Sequence, residues 1–220
     1  MNYNIINTGS DGNAIIIEDI ILIDCGVSFK KMKDYYKKLQ IVFLTHIHSD
    51  HFNKTTIKKL AKERPTLRFA CCEWLVNELV NCGVSIKNID LLDIGKKYDY
   101  GIAKVKPIKL YHDVENCGYR IYINEKKAIY ITDTHTLEGI EAKDYDLYLI
   151  EANYEEDKIQ EKIEYKKANG KYIYEYRSME SHLSREQTDE FLINNMGERS
   201  TYEYLHISRE PIIEKREENE

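Results

Sequence analysis

An apolar run breaks at a threonine, and three histidines and an aspartate then crowd into six positions, "IVFLTHIHSDHF" at residues 41–52. A short run of this kind reads as a buried strand, so the fold must bring that strand to an end where several polar side chains converge. The H-x-H-x-D-H spacing takes three of the chain's seven histidines, far beyond chance decoration of a loop. His46 and His48 are two apart, and in extended backbone they point the same way. Asp50 and His51 fall where the chain must turn, ahead of the helical pattern in "KTTIKKL". Imidazoles suit zinc and manganese, and a carboxylate adds charge and hardness.

The chain's 220 residues can bury a sizeable core and are expected to form one domain over residues 1–210, followed by a charged, frayed tail over residues 211–220. No N-terminal stretch joins a basic flank to an apolar core, and no apolar run is long enough to cross a bilayer, so a cytoplasmic location without membrane contact is expected. Five cysteines with no C-x-x-C spacing argue for reduced, buried thiols and against a disulfide framework or zinc ribbon. A formal charge of −6 opposes indiscriminate nucleic-acid binding. One local exception, "FKKMKDYYKK", gathers Lys30, Lys31, Lys33, Lys37 and Lys38. It reads either as a solvated helix face or as a rim that attracts phosphate.

The N-terminal part reads as strands, "YNIINT", "AIIIE" and "IILID", with the turn "GSDGN" between the first two. "KKMKDYYKKL", "TTIKKLAKE" and "CEWLVNELVNCG" follow helical patterns, the last with Gly83 as a stop. From Ile102 the chain returns to strands in "IAKVKPIKLYH", "CGYRIYIN", "AIYITD" and "LYLIEAN", with a hairpin at "NEKK". A helix is predicted over 155–168, and a second opens at "SHLSREQ", where Ser184 and Gln187 have capping-box spacing. "YEYLHIS" is the last strand. This order predicts an α/β layered fold with helices outside two sheets.

The H-x-H-x-D-H motif resembles the first metal motif of the metallo-β-lactamase superfamily. That resemblance implies an αββα four-layer fold, two stacked mixed β-sheets flanked by helices. It also implies further ligands at strand ends, and "YHDVENCGYRI", "YITDT" and "YLHIS" offer His112, Asp133 and His206 in the family's order. The implied first metal is held by His46, His48 and His112, and the second by Asp50, His51 and His206, with Asp133 bridging. Two divalent ions are therefore expected, zinc first and manganese as the alternative. Such a pair lowers the pKa of a water between them and neutralises charge on a phosphoryl oxygen.

Motifs within the superfamily narrow the reaction. The T-P-G-H-T pattern of thiolesterase-like members is missing from "YHDVENCGYRI", and the cysteine of the best-known β-lactamases is replaced by Asp133. "TGSDGNAIIIEDIILIDCG", "LIEANYEED" and "SHLSREQ" are instead similar to the bacterial DNA-exonuclease-like branch, a relative of ribonuclease Z. In ribonuclease Z a histidine just upstream of the last ligand is placed to protonate the leaving oxygen. His182 is in the comparable place, although His182 and His206 could exchange roles. Asp50 and His182 are thus the catalytic candidates. His135 stands where the family commonly has glycine, so it either reshapes the loop or touches substrate. Asp24 either orients a ligand histidine or caps the next turn. Glu151 is a second acidic strand end of the same kind, and Cys25 and Cys117 read as core thiols.

The reading is a dinuclear metal-dependent phosphodiesterase acting on nucleic acid, DNA before RNA, with a homodimer among its expected assemblies. The alternatives are a phosphodiesterase for cyclic or signalling nucleotides, and a non-catalytic binding module. The last is disfavoured because degenerate members lose ligands and here the whole set is present.

Overall fold

The computed structural model describes residues 1–208, so the stretch 211–220 expected as a tail lies outside the described residues. Strands β1 (Tyr3–Asn7), β2 (Ala14–Ile17), β3 (Ile21–Ile23), β4 (Ile41–Phe43), β5 (Arg68–Cys71) and β6 (Ile89–Leu91) form one sheet in that spatial order. Pairing is antiparallel from β1 to β3 and parallel from β3 to β6. The second sheet holds β7 (Tyr98–Asp99), β8 (Lys104–Tyr111), β9 (Glu115–Ile123), β10 (Lys126–Ile131), β11 (Leu147–Glu151) and β12 (Thr201–Leu205), again neighbour to neighbour. It is antiparallel up to β10 and parallel from there to β12. Helices α1 (Lys54–Glu63), α2 (Val76–Asn81), α3 (Glu156–Ala168), α4 (Glu175–Ser181) and α5 (Arg185–Asn195) complete the fold.

Alternation along each strand creates the layers. Ile15 and Ile17 face Phe43, Tyr119, Ile121 and Leu149 in a core between the sheets. Ala14 and Ile16 face the other way, packing with Val42 against Ile57, Leu60 and Leu79 of α1 and α2. On the second sheet Ile129, Ile131, Tyr148 and Ile150 turn outward to Phe191 and Leu192 of α5. The result is helix, sheet, sheet, helix. Strands covered on both faces need apolar residues throughout, which is why "AIII" and "IVF" show no polar alternation. Each such side chain contributes about 1.5–3 kcal/mol by leaving water.

Local chemistry marks several boundaries. Ser184 Oγ accepts from the Gln187 amide while Gln187 Oε1 accepts from the Ser184 amide, the reciprocal cap expected for α5. Asn124 and Glu125 have φ of 46° and 67°, as a two-residue hairpin between β9 and β10 requires. Gly83, with φ of 83°, ends the turn after α2. One expectation fails: "KKMKDYYKKL" is a chain of overlapping turns, not a helix. Its backbone bonds are mostly three residues apart, such as Met32 N to Phe29 O and Lys38 N to Tyr35 O. Lysines at 30, 33 and 37 would stack like charges along one helix face, and burial of Met32 and Leu39 anchors the segment without regular helix. The short elements β5, β6, β7 and α4 carry little periodic signal of their own and are assembled by their neighbours. Among the described residues no helix is long and apolar enough to cross a membrane.

Candidate metal centre

The six strands β3, β4, β8, β10, β11 and β12 deliver polar residues from their C-terminal ends to one edge of the sandwich. Asp24 follows β3, Thr45 to His51 follow β4, His112 follows β8, and Asp133 follows β10. Glu151 ends β11, His206 follows β12, and His182 caps α4. Asp24, Asp133 and His206 all have left-handed backbone, with φ of 58°, 56° and 52°. Aspartate and histidine tolerate that region better than most residues, yet it costs energy. Here each strand must turn sharply to aim its last side chain across the edge. Gly26 lies under the loop that carries Asp50. A Cβ there would meet the Asp50 carbonyl oxygen at 1.6 Å, so only glycine allows this approach.

Two groups form around Asp133. His46, His48, His112 and Asp133 each offer one atom within 4.8 Å of the others, and so do Asp50, His51, Asp133 and His206. Within them His51 Nε2 is 2.8 Å from Asp133 Oδ2, His206 Nε2 is 3.2 Å from Asp50 Oδ2, and His112 Nε2 is 3.2 Å from His48 Nδ1. A third group joins Asp133 and His206 to Glu151 and His182. There His182 Nδ1 is 2.5 Å from Glu151 Oε1. His46, His48, Asp50, His51, His112, Asp133, His182 and His206 thus all reach this edge.

Hydrogen bonds behind the cluster select the tautomers. The Thr45 hydroxyl donates to Asp24 Oδ1 at 2.9 Å, so it accepts from His46 Nδ1–H, also at 2.9 Å. His46 Nε2 is therefore left without a proton. It is buried, lies 3.1 Å from Asp133 Oδ2 and makes no hydrogen bond. A lone pair and a carboxylate oxygen that converge without a donor between them fit a cation. His51 Nδ1–H donates to Asp24 Oδ2 at 2.7 Å, and His112 Nδ1–H donates to the Ser181 carbonyl at 2.9 Å. Each bond leaves Nε2 facing the cluster. Asp24 is itself fully buried and accepts further from the Thr45 amide and the Tyr130 hydroxyl. Of its two expected roles, it orients a cluster histidine.

Electrostatics agree with a cation site. Burial, with His51 adjacent, pushes His46 down to about 4, so its ring is neutral. At Asp133 burial favours the neutral acid, but His51, His206 and His46 outweigh it and hold the carboxyl well below its usual range. Burial opposes charge on His51 and His206 too. The carboxylates of Asp133 and Asp24 nonetheless raise His51 well above normal, and Asp133, Asp50 and Glu151 push His206 up to about 9. Two imidazolium rings beside four carboxylates carry the positive charge that a pair of divalent ions would replace.

These directions set a pH dependence. A raised folded-state pKa means that His51 and His206 hold protons at neutral pH, and a metal must displace them. Zinc affinity is expected to rise from pH 6 to 8 by about tenfold per displaced proton and unit. Competition with a chromophoric chelator measures this. Affinity that stays flat, with no proton release seen by calorimetry in paired buffers, refutes ligation by these rings.

Several contributors carried no sequence signal. Asp113 Oδ1 lies 3.3 Å from His48 Nε2, and its Oδ2 accepts from Arg177 at 2.6 Å. Asn13 donates to the Asp50 carbonyl at 3.2 Å and holds the loop. Asn153 Nδ2 lies 2.9 Å from both His206 Nδ1 and its carbonyl. Asn13 sits in the quoted "GSDGN" turn, whose side-chain role only the fold reveals. The cavity over the cluster, about 350 Å³, is lined by His48, Asp50, His112, Asp133, His182 and His206 with Arg177 and Tyr174 from the α4 region. His135 is exposed beside Tyr111 and does not line it. Nor do the lysines at 30–38, which are all exposed. All five cysteines are buried and free, and burial pushes the Cys25 and Cys117 thiols up, away from nucleophilic use.

No curated protein sequence matches the chain. Solved structures with the same fold are numerous. The metallo-β-lactamase fold protein YhfI from Bacillus subtilis superposes with a TM-score of 0.69 at 16% identity, covering 96% of this chain and 87% of its own. The short form of human tRNase Z gives 0.67 at 15%, covering 95% and 93%. A diphosphatase from the PhnP family gives 0.63 at 15%, covering 94% and 85%. The family model described as "Beta-lactamase superfamily domain" matches residues 20–202. That span runs from the start of β3 into β12 and takes in the strand ends that carry all but Asp50's supporting turn and His206, so the chain belongs to the β-lactamase superfamily.

Proposed function

We propose that the protein is a dinuclear metal-dependent hydrolase of phosphodiester bonds, with nucleic acid as substrate, DNA before RNA. The observation that carries this reading is the pair of histidine–aspartate groups sharing Asp133, set beside the Glu151–His182 pair in one cavity. His46, His48 and His112 would hold one ion, Asp50, His51 and His206 the other, and Asp133 would touch both. Bound zinc or manganese supplies Lewis acidity toward water and toward a phosphoryl oxygen. A tRNase and a diphosphatase among the structural relatives act on phosphate esters or anhydrides, which supports the same class of substrate.

The chain's own groups account for orientation and proton transfer. Asp50 accepts a hydrogen bond at the cavity floor, and its carboxyl is kept ionised by His206 and His51 despite burial. His182 gives Nδ1–H to Glu151 and lines the cavity. Burial disfavours its charged form, but Glu151 outweighs this and raises its pKa, as suits a general acid at neutral pH. His206 lies with Asp50 and Asp133, and His182 with Glu151, which favours His206 as ligand and His182 as acid.

A second reading, hydrolysis of a cyclic or signalling nucleotide, is favoured by the cavity lining, where Arg177 is the single lysine or arginine. Linear DNA, RNA and cyclic mononucleotides offered to one metal-loaded preparation test the two readings together. Hydrolysis of none of them, nor of bis-(p-nitrophenyl) phosphate, overturns both.

His182→Ala is expected to slow a substrate with an alkoxide leaving group by about 100- to 10,000-fold. A nitrophenolate leaves without a proton, so bis-(p-nitrophenyl) phosphate should lose far less. Metal content should stay at the wild-type value. Loss of an ion would make His182 a ligand, and equal loss on both substrates would remove its role as acid.

A further inference from the structure

Charge is spread unevenly along the chain. Residues 29–64 carry ten lysines and arginines against three acids, a net of +7, and one of those acids is Asp50 of the metal cluster. The whole chain is −6, so everything outside this stretch carries −13. The fold lays the two charged parts of the stretch, the turns at 30–39 and helix α1, side by side. Thr56 donates to the Val27 carbonyl at 2.6 Å, Arg64 donates to the carbonyls of Tyr36, Lys37 and Leu39, and Lys59 Nζ stands 4.4 Å from the centre of the Phe29 ring. Met32 and Leu39 of the turns share one buried cluster with Ile57 and Leu60 of α1. The five lysines at 30–38 and Lys54, Lys58, Lys59 and Lys62 of α1 are all left exposed.

Few of these charges are answered within the molecule. Lys38 pairs with Asp19 at 3.1 Å, Lys54 pairs with Glu78 at 2.7 Å, and Lys31 donates to Asn7 Oδ1 at 3.0 Å. Lys30, Lys33, Lys37, Lys58, Lys59 and Lys62 make no ion pair among the described residues. Crowded like charge raises the energy of such a face, and a polyanion relieves it while releasing its own condensed counterions. The face also begins at the metal cavity. Asn7, held by Lys31, donates to the Gly12 carbonyl at 2.6 Å, in the same turn as Ser10 of the cavity wall. The Asn53 amide at the start of α1 bonds to the Cys25 carbonyl, and the Cys25 amide bonds to the carbonyl of His51.

We propose that this basic face binds the phosphate backbone of a nucleic acid, a DNA duplex first, and leads its scissile bond to the metal cavity. Lysines, which are point charges on flexible stems, suit contacts that position a backbone without reading bases. An anionic membrane is the poorer occupant. Among the described residues none of the exposed large hydrophobic side chains falls within 29–64, so the face has nothing to bury among acyl chains. The acidic remainder of the chain does not forbid binding, because a Debye length of about 10 Å at 0.1 M salt screens its more distant charges. The proposal rests on the phosphodiesterase reading and narrows it to a polymer. Helix α1 alone is about 15 Å long, and a cyclic mononucleotide in the cavity is too short to follow it.

The test is fluorescence anisotropy of a short labelled DNA duplex, made with phosphorothioates to resist cleavage, against the metal-loaded full chain. The logarithm of affinity is expected to fall against the logarithm of salt with a slope of about −3 to −5, at ~0.9 for each phosphate neutralised. Reversing three unpaired lysines together, K33E with K58E and K62E, should lower affinity at least tenfold and flatten the slope by about 2 to 3. Hydrolysis of bis-(p-nitrophenyl) phosphate should stay within about twofold, since these lysines do not line the metal cavity. A chain with K87E, K96E and K104E has the same net charge and should bind nearly as the wild type does. The wild-type slope decides the matter even if a variant misfolds. Equal loss in the two triple variants, a slope near zero, or no association at about 100 µM protein overturns the face, and so does binding of phosphatidylserine vesicles in place of the duplex. Hydrolysis of bis-(p-nitrophenyl) phosphate without duplex binding sinks this inference alone, whereas duplex binding without hydrolysis of any phosphodiester sinks the enzymatic reading and leaves the face standing.

Discussion

Asp50→Ala is expected to lower hydrolysis of bis-(p-nitrophenyl) phosphate by about a hundred- to a thousandfold in a chain that still folds. The side chain is 20% exposed, and its Oδ2 lies 3.2 Å from His206 and 3.5 Å from His51. Removing it takes the only carboxylate besides Asp133 from the second group. The loop itself should hold, because Asn13 binds the Asp50 backbone carbonyl and not only its side chain. Metal content should drop from two ions to about one, since His46, His48, His112 and Asp133 are untouched. Elemental analysis and rate are measured on the same sample. Two ions together with an unchanged rate would refute the dinuclear mechanism.

A large effect is also expected from Asp24→Asn, at a residue that does not line the metal cavity. Asp24 is completely buried and accepts from the Thr45 amide and hydroxyl, from Tyr130 and from His51 Nδ1. The asparagine oxygen can keep the Thr45 bonds, but its NH2 group then faces His51 and Tyr130. His51 must turn Nδ1 into an acceptor and move its proton to Nε2, the atom 2.8 Å from Asp133. A protonated nitrogen cannot bind a metal. Metal affinity is expected to fall by at least the 10- to 100-fold typical of partners that orient ligands, with activity following. Stability without metal should fall too, by roughly 3–5 kcal/mol if the charged ring loses its partner outright and by less if it shifts tautomer. The nitrogen shifts of His51 in a labelled sample distinguish the tautomers. An unaltered tautomer with unaltered affinity would leave Asp24 a purely structural residue.

The two variants probe different parts of the same design. Asp50 acts at the cluster, and Asp24 acts through His51 and, by way of Thr45, through His46. Both histidines depend on one buried carboxylate because they follow β4 and Asp24 follows β3, its parallel neighbour. Loss of one hydrogen-bond acceptor therefore reaches both groups of candidate ligands.

Much of this was legible along the chain because it is local. His46, His48, Asp50 and His51 lie within six residues, so spacing alone declares them. The strand-end positions of His112, Asp133 and His206 followed from apolar runs that stop at a polar residue, once the resemblance supplied an order. The capping box of α5 and the hairpin at Asn124–Glu125 are equally short-range. The segment at 30–39 misled because its pattern of lysines and apolar residues matches a helix, while crowded like charge and two buried anchors selected successive turns. No window of sequence weighs those terms against each other.

What the sequence determined by itself is the identity of the chemistry: a histidine–aspartate set at the ends of buried strands, and the alternation that stacks two sheets beneath it. What only the tertiary structure decided is the pairing. Asp24 meets His51 across 27 residues and Tyr130 across 106, Glu151 meets His182 across 31, and the Ser181 carbonyl meets His112 across 69. Such partners share no spacing rule. They are selected by sheet register and by sharp left-handed turns after three strands, which bring groups distant in the chain within hydrogen-bond range at one buried edge. Proton positions on the histidines follow from those contacts, and with them the capacity to hold metal.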